Sequence, residues 1–187
     1  MMLTSMRTLE DLFRELLARR DRDADLPQLG PWLAQQMPHC VFPALHQLPL
    51  QAKAYTRNLI AREQAPTQQA QIQPTQIQQR FEALILRWDR QAQTRIHGHP
   101  AFSFYHVISG RFAMEYFAQT RHGLQCVDIR AYQAGGTTWF LGYNDRYDNF
   151  IHRVTCLEPG LTFHVYSDNA QKGCCWETML NQAAQSR

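Results

Sequence analysis

The chain has 187 residues, 44% of them hydrophobic, with 19 lysines and arginines against 16 aspartates and glutamates, a formal charge of +3. A domain of this size buries about two thirds of the surface its unfolded chain exposes, so it folds without a disulfide framework or a structural metal, and any bound metal is expected to serve chemistry. Basic residues are scattered in short pairs such as Arg19 and Arg20, which argues against a nucleic-acid stripe. No apolar run approaches the roughly 18 to 20 residues that span a bilayer, and the N-terminus carries no apolar signal core. A cytoplasmic protein with no nucleic-acid and no membrane partner is expected, its oligomeric state open and a monomer among the options.

Residues 1–50 read as a helical region. Thr8, followed by Glu10 and Asp11, supplies a cap and first-turn acids, and Leu9, Leu12, Phe13, Leu16 and Leu17 recur at helical spacing. Arg19 to Asp25 reads as a charged turn. Pro31 suits the first turn of a short helix that Pro38 ends. Tyr55 to Ile60 alternates like a strand. Residues 61–80 hold eight glutamines and two prolines and read as a loop or insertion. Residues 81–180 then carry short apolar runs separated by turn residues such as Ser109-Gly110, His122-Gly123, Gly135-Gly136 and Glu158-Pro159-Gly160. This spacing predicts a mainly β fold, a small β-barrel or jelly roll behind an N-terminal helical region, all in one domain over 1–187.

The five cysteines form no Cys-x-x-Cys pair, whereas six of the eight histidines fall in the stretch from His97 to His164. Residues two apart on a strand share a face, so His97-Gly98-His99 offers two adjacent imidazoles. Three residues separate His99 from Ser103, and six separate Ser103 from Gly110. This resembles the first motif of the cupin superfamily, with serine where that motif carries glutamate, and His152 stands where the second motif supplies its histidine. Three neutral imidazoles and no carboxylate leave a divalent ion its full charge and open coordination positions, which favours anionic ligands, thiolates especially.

Three islands together resemble a narrower family, the thiol dioxygenases such as cysteine dioxygenase. They are Tyr55-Thr56-Arg57-Asn58-Leu59-Ile60, the Ile96 to His99 segment with Gly110, and His152-Arg153-Val154 followed by Thr162-Phe163-His164-Val165-Tyr166-Ser167. The resemblance implies Fe(II) held by His97, His99 and His152. It implies a substrate carboxylate gripped by Arg57 beside Tyr55, and a Ser-x-His-x-Tyr triad represented by Thr162, His164 and Tyr166. The expected reaction joins a small thiol carboxylate, of the L-cysteine or 3-mercaptopropionate class, with O₂ to give a sulfinic acid, and Arg57 tilts the choice toward cysteine. Some members crosslink a cysteine at the cupin glutamate position to the triad tyrosine; Ser103 excludes that link here.

The triad also follows from strand geometry. Thr162, His164 and Tyr166 are two apart, so they share a face and can relay hydrogen bonds from hydroxyl to imidazole to phenol. Two alternatives stand beside the thiol reading: a cupin metalloenzyme acting on a non-thiol substrate, and a non-catalytic ligand-binding cupin. Arg95 reads as solvated. His106 should face away from the metal in a structural or surface role, and His39, His46 and His122 read as solvated. Trp88, Trp139 and Trp176 read as barrel core, as does one of Cys174 and Cys175.

Overall fold

A computed structural model describes residues 6–23, 26–64 and 80–176. Its elements are helices α1 (Leu9–Asp23) and α2 (Leu26–Gln36), then strands β1 (Tyr55–Arg62), β2 (Glu82–Trp88), β3 (Ile96–His99), β4 (Phe102–Thr120), β5 (Gly123–Gln133), β6 (Thr137–Leu141), β7 (Asn149–Tyr166) and β8 (Cys175–Trp176). Thr8 caps α1 by accepting the Asp11 N–H at 3.1 Å, which satisfies one of the donors a helix start leaves free. The charged segment after Arg19 continues that helix to Asp23 instead of turning. α2 begins five residues earlier than Pro31 predicted, with Pro27 in its first turn and Pro31 inside it. Burial of Leu29, Trp32 and Leu33 holds the longer helix despite the missing donor, because tertiary packing outweighs local preference.

The strands form one eight-stranded antiparallel sheet curled on itself, in the order β1-β2-β7-β3-β8, with β4 pairing β5, β6 and β7. β7 is the spine. Its Gly160–Tyr166 half pairs β2 on one side and β4 on the other, while His152 pairs His97 of β3. β4 and β7 had each read as two strands with a turn between them. Both instead run through: the supposed turns at Ser109-Gly110 and Glu158-Pro159-Gly160 are bends where the register slips and the strands cross from one wall of the barrel to the other. Gly110 lies at φ +86°, and a Cβ on Gly160 would stand 2.0 Å from the Ser109 carbonyl oxygen. The two glycines let the backbones touch at that bend.

Both faces of the β2–β7–β4 wall are buried, which explains why these strands read as nearly continuous apolar runs. One face, with Ala83, Ile85, Phe104, Phe163 and Val165, packs under α1 and α2. The other, with Leu84, Leu86, Trp88, Tyr105, Val154 and Tyr166, lines the barrel interior. The sheet begins at Tyr55, ahead of the expected core of residues 81–180, and Ala61 and Arg62 belong to β1 and not to the glutamine-rich loop, whose residues 65–79 lie outside the described ones. Of the three tryptophans assigned to the core, Trp88 is buried, Trp139 is 42% exposed and Trp176 is half-buried. Trp139 lies outside the barrel, its indole covering Gly30 of α2. Cys174 and Cys175 are both exposed, since β8 is too short to cover either. Among the described residues no helix is long and apolar enough to cross a membrane.

Candidate metal centre

His97, His99 and His152 converge at one end of the barrel interior. Each pair of rings is 4.7 Å apart between centroids, and one ligand atom from each lies within 4.8 Å of the others. The strands impose this arrangement: His97 and His99 share a face of β3, and His152 sits directly opposite His97. Gly98 is required between them, because a Cβ there would stand 2.5 Å from the Asp148 Cα and 2.6 Å from the Tyr147 carbonyl oxygen.

The hydrogen bonds around the rings select the atoms that face inward. His97 Nδ1 is 2.9 Å from the Arg95 carbonyl oxygen, and His152 Nδ1 is 3.0 Å from that of Phe150. A carbonyl can only accept, so both Nδ1 atoms carry the proton and both Nε2 atoms keep a lone pair. Phe150 makes its contact from φ +51°, a backbone region that costs a bulky residue about 1 kcal/mol or more. His99 is fully buried, yet neither of its ring nitrogens has a hydrogen-bond partner. Such an orphaned ring is explained when a metal ion is the partner. Burial first, then the neighbouring imidazoles, holds His99 and His152 well below the ordinary imidazole range; burial also lowers His97. The three are neutral at pH 7, which is the ligating form. The donor set fits a divalent transition ion, with the Nδ1–H groups of His97 and His152 oriented by backbone carbonyls as metal-bound histidines usually are.

On the adjoining wall Thr162, His164 and Tyr166 form a buried hydrogen-bonded row. Thr162 Oγ1 is 2.7 Å from His164 Nε2, and the Tyr166 hydroxyl is 2.8 Å from His164 Nδ1. The Tyr166 ring stacks on His99 with centroids 5.1 Å apart, so this row adjoins the histidine cluster. Burial raises the Tyr166 phenol above its ordinary range, with Arg57 opposing the shift, and it stays protonated. The expected cysteine position is filled by Ser103, directly across from Tyr166 in the β4–β7 register, and its buried hydroxyl is likewise without a partner.

β1 brings Arg57 to the same wall. It pairs with Leu86, which pairs with Thr162, so all three share the interior face. Its guanidinium is partly exposed, 3.8 Å from Glu82, and its positive charge helps to lower His164 and His97. The Tyr55 ring packs against Trp88, tilted by 34° with centroids 4.6 Å apart. β1 thus sets Tyr55 and Arg57 beside the wall that carries Thr162, His164 and Tyr166, and the Tyr166 ring adjoins the histidine cluster.

Others went unremarked. Glu82 is buried and receives Arg62 at 2.7 Å and the Ala170 N–H at 2.9 Å; its signal was a lone carboxylate in phase with Leu84 and Leu86. The Phe150 ring lies 4.5 Å from that of His152 and also lines an open cleft of about 430 Å³ with Tyr116, Trp139 and Phe140. No sequence signal pointed to its backbone role. His106 is buried on the opposite face of β4, stacked on Phe42 at 5.8 Å, while His46 and His122 are exposed and His39 is half-buried. Arg95 is exposed.

No protein-family model matches the chain, and no curated protein matches it. Among solved structures it is similar to a cupin superfamily protein from Desulfitobacterium hafniense, at 5% identity over 68% of this chain and 90% of that one, with a TM-score of 0.46. It is also similar to an RmlC-like cupin from Shewanella frigidimarina, at 17% identity over 46% of this chain and 64% of that one, TM-score 0.34. A third is the Bacillus subtilis oxalate decarboxylase, described for its Mn(II) centres, at 17% identity over 51% of this chain and 23% of that one, TM-score 0.38. The chain thus spans less than two thirds of the Shewanella protein and under a quarter of the decarboxylase. The class is defined by the strand pairing and the site: a curled eight-stranded antiparallel β-sheet behind two helices, with a three-histidine cluster able to hold a metal ion.

Proposed function

We propose that this protein is a non-haem iron thiol dioxygenase that converts a small thiol carboxylate and O₂ to the sulfinic acid in the cytoplasm. The observation that carries the reading is the shared interior face: a cluster of three neutral imidazoles with no carboxylate, a Thr162–His164–Tyr166 row stacked against it, and Arg57 on the same wall. His97, His99 and His152 would hold Fe(II) through ring nitrogens. When bound, such an ion supplies the redox chemistry and deprotonates a thiol that coordinates it.

The protein's own residues do the rest. Arg57 pairs with the substrate carboxylate through charge-assisted hydrogen bonds, which favours L-cysteine or 3-mercaptopropionate over thiols without an acid group. Tyr55 closes the side of that pocket against Trp88. Tyr166, protonated and held by His164, orients the bound substrate by a hydrogen bond and places its sulfur for reaction. The apolar lining, with Leu84, Leu86 and Val154, excludes water from the reacting atoms. The test is to load the purified protein with Fe(II), supply L-cysteine, 3-mercaptopropionate and a panel of other thiols, and follow oxygen uptake and sulfinate. Coupled uptake and sulfinate formation is expected with at least one thiol carboxylate; no uptake with any thiol overturns the reading.

A further inference from the structure

The protons in the buried row can be placed from the donor that begins it. The indole Nε1–H of Trp88 lies 2.7 Å from Thr162 Oγ1. An indole nitrogen donates and never accepts, so Thr162 is the acceptor in that contact. Thr162 then has one proton of its own, and His164 Nε2, 2.7 Å away, is the acceptor facing it. Burial, reinforced by the Arg57 charge, keeps His164 neutral, so its single ring proton sits on Nδ1 and is donated to the Tyr166 oxygen at 2.8 Å. The phenolic proton is left for another acceptor. With the opposite polarity Thr162 would receive two donors, and its hydroxyl proton would need a further acceptor at a position with no solvent exposure.

We propose that Trp88 is a positioning residue that sets the polarity of the row, so that Tyr166 presents its O–H to the ligand beside the three histidines and not to His164. Trp88 acts only through Thr162 and His164. The proton placement is independent of the reaction proposed above; that reading enters only in naming a thiol carboxylate as what Tyr166 faces. The arrangement differs from a simple serine, histidine and tyrosine row, whose hydroxyl end could turn either way. Here a rigid, buried indole pins that end, and the same ring is held by Tyr55 at 4.6 Å and Phe112 at 5.5 Å.

The tautomer of His164 reads the proposal directly. In protein loaded with diamagnetic Zn(II) and labelled with ¹⁵N-histidine, long-range ¹H–¹⁵N correlations distinguish a protonated Nδ1 from a protonated Nε2, with His164→Gln supplying the assignment. Wild-type protein is expected to show Nδ1–H, and Trp88→Phe is expected to lose that preference and populate Nε2–H. The wild-type tautomer carries the test by itself if Trp88→Phe does not fold. An Nε2–H tautomer in the wild type, or an Nδ1–H tautomer unchanged in Trp88→Phe, overturns the proposal. With Fe(II) and a thiol that the wild type oxidises, Trp88→Phe should lower kcat about tenfold with little change in KM, and should lower it no further when combined with Tyr166→Phe. If the wild type oxidises no thiol, the proposed reaction falls while the tautomer result stands or falls separately.

Discussion

His106 is a histidine set apart from the three-histidine cluster, and its environment sets a measurable pH dependence. Its ring is buried beneath Phe42, its Nδ1 lies 2.8 Å from the Thr137 hydroxyl, and burial pushes its pKa down to about 4. In the unfolded chain an imidazole titrates near about 6.5. Above that value both states are neutral and the full stability is present. As the pH falls from there, the unfolded chain takes up a proton that the folded protein refuses, so stability declines until the folded pKa is reached. With the folded pKa at about 4, linkage gives a loss of about 2.5 kcal/mol by about pH 4.5. The comparison is urea unfolding of the wild type and His106→Gln at about pH 7.5 and about pH 4.5, with chelator throughout so that metal release does not contribute. Other titrating groups are common to both proteins, so the wild type should lose about 2.5 kcal/mol more than the variant. Parallel losses would refute the reasoning. The variant should also bind divalent metal with the stoichiometry of the wild type, because His106 faces away from the cluster.

Three further outcomes are expected. Alanine in place of His97, His99 or His152 should abolish stoichiometric Fe(II) binding in calorimetry or metal analysis while the far-ultraviolet circular dichroism keeps its β signature, since the barrel folds around apolar walls and not around an ion. Arg57→Gln should reduce kcat/KM for a thiol carboxylate by about 10- to 100-fold through loss of a charge-assisted pair, and a thiol lacking the carboxylate should be far less affected. Gly160→Ala should lower the urea midpoint sharply, with a loss of about 3 kcal/mol or more, because its methyl group would meet the Ser109 carbonyl oxygen at 2.0 Å. Ala170→Gly, in a short 3-10 turn, serves as the mild control.

Local pattern carried a good deal. The period of two over His97-Gly98-His99 and over Thr162 to Tyr166 placed each set on a common face before any tertiary contact was known, because strand geometry alone dictates it. The same logic put His106 on the other face of β4. Boundaries were harder. Ser109-Gly110 and Glu158-Pro159-Gly160 have turn composition, yet they are bends in continuous strands, since a glycine that admits a tight turn equally admits a crossing of two backbones. Trp139 and one of Cys174 and Cys175 were assigned to the core on hydrophobicity, which does not report whether a neighbour exists to cover them.

What the sequence determined by itself was therefore the inventory and its phase: a helical start, many short β segments, and which histidines, hydroxyls and phenols share a strand face. Only the tertiary structure decided which strands meet. Opposition of His152 to His97 depends on pairing β7 with β3 across more than fifty positions, and Arg57 shares a sheet face with Leu86 and Thr162 because β1 joins the sheet edge beside β2. The donation from Trp88 to Thr162 spans 74 positions, and Phe150 helps orient His152 only through a backbone angle that no residue identity announces. Register between distant strands is set by how two buried faces pack together, so it is a property of the whole barrel and not of any segment of its sequence.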